Sequence, residues 1–129
     1  MSPTVGNVLA VALGGALGAV LRFFVSTRVN AWTSAMAFPT GTLAVNAIGC
    51  FIIGWTTGTQ VGRAPWSDAI GLFLIVGLLG GFTTFSAFGN ETIALVREGA
   101  ALKATLNVAL QLGVCLVAVA LGLAAGTGR

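Results

Sequence analysis

Thr42 and Asn46 stand four residues apart, as do Asn107 and Gln111, with Cys115 four further along, and all of them fall inside long apolar runs. On a helix, residues four apart share a face, so each of these sets forms a polar stripe. A third stripe joins Phe85 and Phe88, three apart, to Glu91, with Ser86 beside the rings. Amides and hydroxyls donate hydrogen bonds, and the rim of a phenyl ring carries partial positive charge, so the available chemistry favours an anion. Glu91 is the single carboxylate within a run, which leaves no acidic ring to conduct a cation. Arg22, near the end of the first run, is able to attract anions to a vestibule, and a snorkelling interface arginine accounts for it equally. Polar groups inside a membrane are costly. Any one of Asn46, Asn107 and Gln111 could serve only to hydrogen-bond between helices. Together, on two stripes of different helices and beside an aromatic pair, they read as the walls of a path for a small anion whose identity these residues do not specify.

Other chemistries lack their parts. The chain has no histidine and no tyrosine, so Ser86 has no base to activate it and the protein does not read as an enzyme. Cys50 and Cys115 both sit in apolar runs and read as small buried hydrophobes. No His or carboxylate stands at ligand spacing from either, so no metal site is expected there. The formal charge of +3 comes from six scattered cations without a polybasic stretch, which argues against a nucleic-acid partner.

The elements that must position these residues are membrane spans. The chain is 57% hydrophobic and 7% charged, too poor in charge to cover a water-soluble surface of its length. Apolar runs extend over Val5–Val25, about Phe38–Gln60, Ala69–Val96 and about Ala101–Gly126, and each supplies the ~20 residues that cross a bilayer as a helix. No Lys or Arg precedes the first run, which therefore reads as a retained span rather than a signal peptide. Trp32 and Trp66 fall in the connections, where indoles favour the headgroup zone. A loop holding Arg63, Pro65, Trp66 and Asp68 separates the second and third runs. The third run would reach ~42 Å as one straight helix. Its segment Gly80-Gly81-Phe82-Thr83-Thr84-Phe85-Ser86-Ala87-Phe88 collects poor helix formers, so a break is expected there. Non-helical backbone at that depth must be buried in protein or line a wet cavity, and its freed carbonyls and amides make a candidate ion site.

Gly14-x-x-x-Gly18, Gly54-x-x-x-Gly58 and Gly122-x-x-x-Gly126 have the spacing that lets membrane helices approach closely. Four short helices cannot surround a pore and also bury their own polar groups, so a homo-oligomer is expected. With four spans, one side carries Arg63 and Arg129 and the other Arg22, Arg28, Arg97 and Lys103. With Arg22 set aside as a candidate functional residue, three cations stand against two, a bias that leaves orientation nearly undecided and allows pairing with an inverted copy.

Over nearly its whole length the chain resembles the Fluc (CrcB) family of fluoride channels. The resemblance rests on Gly14-Gly15-x-x-Gly18-x-x-x-Arg22, on Gly41-Thr42-Leu43-x-x-Asn46, and above all on the segment from Gly80 to Phe88 followed by Glu91-Thr92. It implies an all-α membrane protein, residues 1–129 forming one transmembrane channel domain of four helices with a broken third. It further implies an antiparallel, dual-topology homodimer in the lipid of the cytoplasmic (inner) membrane, passing toxic fluoride outward passively. By the same resemblance Asn46 coordinates the ion and Phe85 and Phe88 form an aromatic box. Thr42, with Ser86, Asn107 and Gln111, belongs to the polar track, Glu91 marks the track's outer end, and Arg22 sits at the vestibule. Backbone carbonyls of Gly80 and Thr83 would hold a structural sodium ion between subunits. Ala87 stands where many relatives carry Thr or Ser. Relatives also often place Tyr or Ser along the fourth-helix track, where this chain has Asn107 and Gln111. A dual-topology small multidrug transporter shares the size and span count, but needs a carboxylate in its first span, and this first span has none. A non-conducting scaffold would leave the broken helix and polar stripes without purpose.

Overall fold

The computed structural model describes residues 4–62 and 68–128, apart from the side chain of Asp68. Arg63, Pro65, Trp66 and Arg129 therefore lie outside the described residues. Helix α1 covers Val5–Trp32, α2 Thr40–Thr59, α3 residues 68–82, α4 Phe85–Arg97 and α5 Ala101–Thr127. Among the described residues there is no strand, and α3 with α4 makes the third of four helices long and apolar enough to cross a membrane.

Burial is inverted relative to a water-soluble protein. Leu9, Leu13, Leu17, Phe23, Leu112, Leu116 and Leu121 face outward, whereas Thr42, Thr56, Thr84, Asn107 and Gln111 are buried beside Val45, Leu79 and Phe88. Lipid tails solvate leucine as well as a protein core does, so the interior is left to groups that need hydrogen-bond partners.

Glycine sets how the helices meet. A Cβ on Gly14 would lie 2.3 Å from the Phe73 carbonyl oxygen, and one on Gly18 2.1 Å from that of Leu78. The first small-residue motif thus brings α1 against α3. The other two motifs face each other. Cβ atoms on Gly54 and Gly58 would lie 2.2 and 2.5 Å from the carbonyl oxygens of Val119 and Leu123, and those on Gly122 and Gly126 2.1 and 2.3 Å from those of Phe51 and Trp55. Contact partners rise together along both helices, so α2 and α5 run parallel, backbone against backbone.

Helix α1 continues past its apolar run, and Trp32, expected in the connection, is its last helical residue. The short turn Ser34–Met36 follows, and Ala37 closes it in the left-handed region at φ 46°. Side chains fasten this connection. Asn30 Oδ1 accepts from Gly41 N at 2.7 Å, the Thr33 and Thr40 hydroxyls pair, and Lys103 Nζ donates to the carbonyls of Met36 and Ala37 at 3.3 and 3.1 Å.

The expected break is present and its position is sharper. Gly80 and Gly81 remain helical, continuing from wide π-type turns over Leu72–Leu79. The chain leaves the helix at Thr83 (φ −84°, ψ 158°) and Thr84 (φ −153°, ψ 116°) and re-enters it at Phe85. β-Branched residues fit extended backbone, while Gly81 is spent on close approach: its Cβ would lie 2.5 Å from the Gly15 carbonyl oxygen.

Candidate functional site

A break in a buried helix strands backbone polar groups, and each must find a partner. Asn46 on α2 serves Thr84 on both sides. Its Oδ1 accepts from Thr84 N at 2.8 Å, and its Nδ2 donates to the Thr84 carbonyl oxygen at 3.0 Å. In an unbroken helix Thr84 N would donate to the carbonyl of Gly80; the amide of Asn46 replaces that bond and releases the Gly80 carbonyl. Thr83 still reaches the preceding turn, donating to the Leu79 carbonyl from both N and Oγ1 at 3.0 Å. Room for Thr83 comes from Gly49, whose Cβ would lie 2.2 Å from Thr83 Cγ2. Thr84 then caps α4, its Oγ1 accepting from Ala87 N at 3.2 Å and pairing with Ser86 Oγ at 3.2 Å.

Around this clamp the polar stripes meet. Asn46 Nδ2 also donates to Gln111 Oε1 at 3.2 Å, and Cys115 Sγ lies 3.8 Å from the same oxygen. One helical turn back, Thr42 Oγ1 donates to Glu91 Oε1 at 2.6 Å. Asn107 Nδ2 donates to Thr92 Oγ1 at 2.9 Å, and Thr92 Oγ1 donates to the Phe88 carbonyl at 2.7 Å. The Phe85 and Phe88 rings meet edge-on, centroids 5.2 Å apart at 67°. Phe88 is 8% exposed and Phe85 78%, so the pair reaches from the interior to the surface of the chain.

Asn46, Phe85, Phe88, Gln111, Gly80 and Thr83 line one cavity of about 390 Å³, shared with Thr84, Cys50 and Cys115. Glu91 instead lines a smaller cavity of about 180 Å³ beside Phe38, Pro39 and Glu98. Thr42 and Asn107 line neither cavity, and Thr42 is bonded to Glu91 itself. Ser86 joins the cluster through its hydroxyl pair with Thr84. Arg22 is half-buried on α1 and takes no part in these hydrogen bonds. Three buried polar atoms have no partner among the described residues: Gln111 Nε2, Asn107 Oδ1 and Glu91 Oε2. Gln111 Nε2 is a free donor on a residue lining the aromatic cavity, the kind of group that receives an anion.

Residues 9–123 match the family described as CrcB-like protein, Camphor Resistance (CrcB). The chain belongs to the CrcB-like family. Among its relatives, a protein of Ruminiclostridium cellulolyticum called fluoride-specific ion channel FluC is 43% identical over 116 residues, covering 90% of this chain and 88% of the relative. Proteins of the same name from Shewanella halifaxensis and Shewanella sp. (strain W3-18-1) are 47% and 48% identical over 118 and 119 residues, each covering 90% of this chain and 92% of the relative.

Two residues of this CrcB-like protein matter more than their sequence suggested. Thr84 is the residue that Asn46 grips, and Thr92 links Asn107 to the Phe88 backbone. A cap was readable at Thr84, a threonine opening a helix three residues before Ala87. Nothing local marks Thr92, because its role depends on which helix lies opposite.

Proposed function

We propose that this CrcB-like protein is a fluoride channel that lets the ion leave passively across the cytoplasmic membrane and so relieves its toxicity. The observation that carries this reading is the meeting of the Asn46 amide, the Gln111 amide and the Phe85–Phe88 edge pair around one cavity at the helix break. A small anion gives up its water only where other donors replace it. Amide N–H groups and phenyl rims do so without a full positive charge that would trap it. The names of the relatives point to the same ion.

In this reading Asn46 receives the ion beside Phe85 and Phe88, turning to it the N–H that pairs with Gln111 Oε1. Thr42, Ser86, Asn107 and Gln111 extend a hydrogen-bonding track to Glu91, and Arg22 draws anions to the vestibule. The single chain leaves Phe85 open at its surface, which fits a second, inverted copy completing the wall. The functional unit is then an antiparallel, dual-topology homodimer. A sodium ion fits the break as a structural ion between the subunits. The Gly80 carbonyl is released because Thr84 N turns to Asn46, and extended backbone at Thr83 carries its carbonyl out of the helical ladder. Oxygen donors of this kind suit a hard cation.

The test is fluoride efflux from liposomes holding the purified protein, with chloride as the comparison. Fluoride flux well above that of protein-free vesicles and of chloride is expected; flux equal to protein-free vesicles overturns the proposal.

A further inference from the structure

The parallel packing of α2 and α5 keeps one register over several turns. Asn46 pairs with Gln111, Gly54 meets Val119 and Gly58 meets Leu123, each partner 65 positions further along. The same offset sets Cys50 opposite Cys115, midway between the amide pair and the glycine contacts. The two thiols are free. Both line the cavity that holds Asn46, Phe85 and Gln111.

We propose that Cys50 and Cys115 form a two-coordinate site for a soft, thiophilic d10 metal ion, Hg2+ fitting best, on the wall of the candidate ion path. Thiolate sulfur selects soft metals. Among the described residues no group of three or more His, Cys, Asp or Glu gathers anywhere, so a tetrahedral ion such as Zn2+ lacks its ligands, whereas a linear one needs only two. Charge points to the divalent ion. Each thiol gives its proton to water as its S–H bond is replaced by an Hg–S bond, so Hg2+ and two thiols yield a neutral S–Hg–S bridge and two protons, with no change of oxidation state. A neutral product suits a membrane interior, where a residual charge is costly. The bridge also removes the thiol proton that Cys115 directs at Gln111 Oε1 and places a heavy atom beside the aromatic pair.

Binding depends only on how α2 meets α5; its effect on flux rests on the fluoride-channel reading. The experiment titrates the detergent-purified protein with Hg2+ and counts the remaining reactive thiols, for the native chain and for Cys50→Ser and Cys115→Ser. One Hg2+ per chain consuming both thiols is expected, with affinity at least about a hundredfold weaker in each single variant, as for any ligand reduced from two attachments to one. Two Hg2+ per chain, or single variants that bind as tightly as the native chain, overturn the site. If a serine variant does not elute as the native assembly, the alanine variant replaces it under the same criteria. The second arm records fluoride efflux with one Hg2+ per chain, each protein compared with its own metal-free rate. Block of the native protein but not of Cys50→Ser/Cys115→Ser supports the placement on the path. Stoichiometric binding with undiminished flux overturns that placement, and metal-free protein without flux overturns the channel reading while leaving the metal site standing.

Discussion

At the scale of single residues, Asn46 carries two duties on one amide. Its oxygen takes the Thr84 N–H that the helix has lost, its nitrogen donates to the Thr84 carbonyl, and the same nitrogen reaches Gln111. Asn46→Asp keeps the shape but sets a carboxylate oxygen against two acceptors, the Thr84 carbonyl and Gln111 Oε1. Losing a buried donor in this way costs about 1–3 kcal/mol, read as a lower unfolding temperature in detergent. Fluoride flux is expected to fall at least about tenfold, the equivalent of ~1.4 kcal/mol on a barrier. Phe85 offers a cleaner separation. It is largely uncovered in the single chain, so Phe85→Ile is expected to leave the chain's own stability nearly unchanged while cutting flux at least about tenfold. Equal flux from Phe85→Ile and native protein in the liposome assay would remove Phe85 from the path. The four-residue spacing made Thr42, Asn46, Asn107 and Gln111 legible as faces. Their partners were not, since Glu91, Thr84 and Thr92 are brought to them from other helices.

At the scale of elements, backbone-to-backbone approach decides where side chains meet. Gly54→Ala would place its Cβ 2.2 Å from a carbonyl oxygen of α5, where only backbone can yield. Overpacking of this kind costs about 1–3 kcal/mol, and the Asn46–Gln111 contact two helical turns away should loosen with it. Gly71→Ala meets nothing within 4 Å and is expected to be neutral, or stabilising by up to about 1 kcal/mol from helix propensity. Thermal unfolding of the two variants side by side checks the contrast. The break shows the same division of labour. Composition marked its neighbourhood, but glycine and threonine are both poor helix formers, so propensity alone could not say which pair would open. Packing chose, because Gly81 is needed against α1 and Thr84 is the residue within reach of Asn46.

At the scale of the whole molecule, the exterior is leucine, valine and phenylalanine and the interior holds amides, hydroxyls and a carboxylate. Such a molecule is built for lipid. With Arg22 set aside, its cations divide three against two between the two sides, in keeping with the proposed dual topology. Tags placed at the C-terminus are expected to be accessible from both sides of the membrane in comparable amounts; a single orientation in a protease-protection measurement defeats the antiparallel arrangement. A covalently tied dimer of one orientation is likewise expected to lose most of the fluoride flux of the native protein.

The amino-acid sequence by itself determined that four apolar segments must become helices, since backbone in lipid has no other way to satisfy its hydrogen bonds. It also determined which polar residues share a face, because helical periodicity is local, and it marked the third segment, with its cluster of poor helix formers, as the one expected to break. Only the tertiary structure decided that the clamp on the break is Asn46, that the break opens at Thr83 and Thr84, and that Cys50 and Cys115 line one cavity. These are consequences of register between helices, set by where glycines let two backbones touch, and register is a property of pairs of segments that neither segment contains alone.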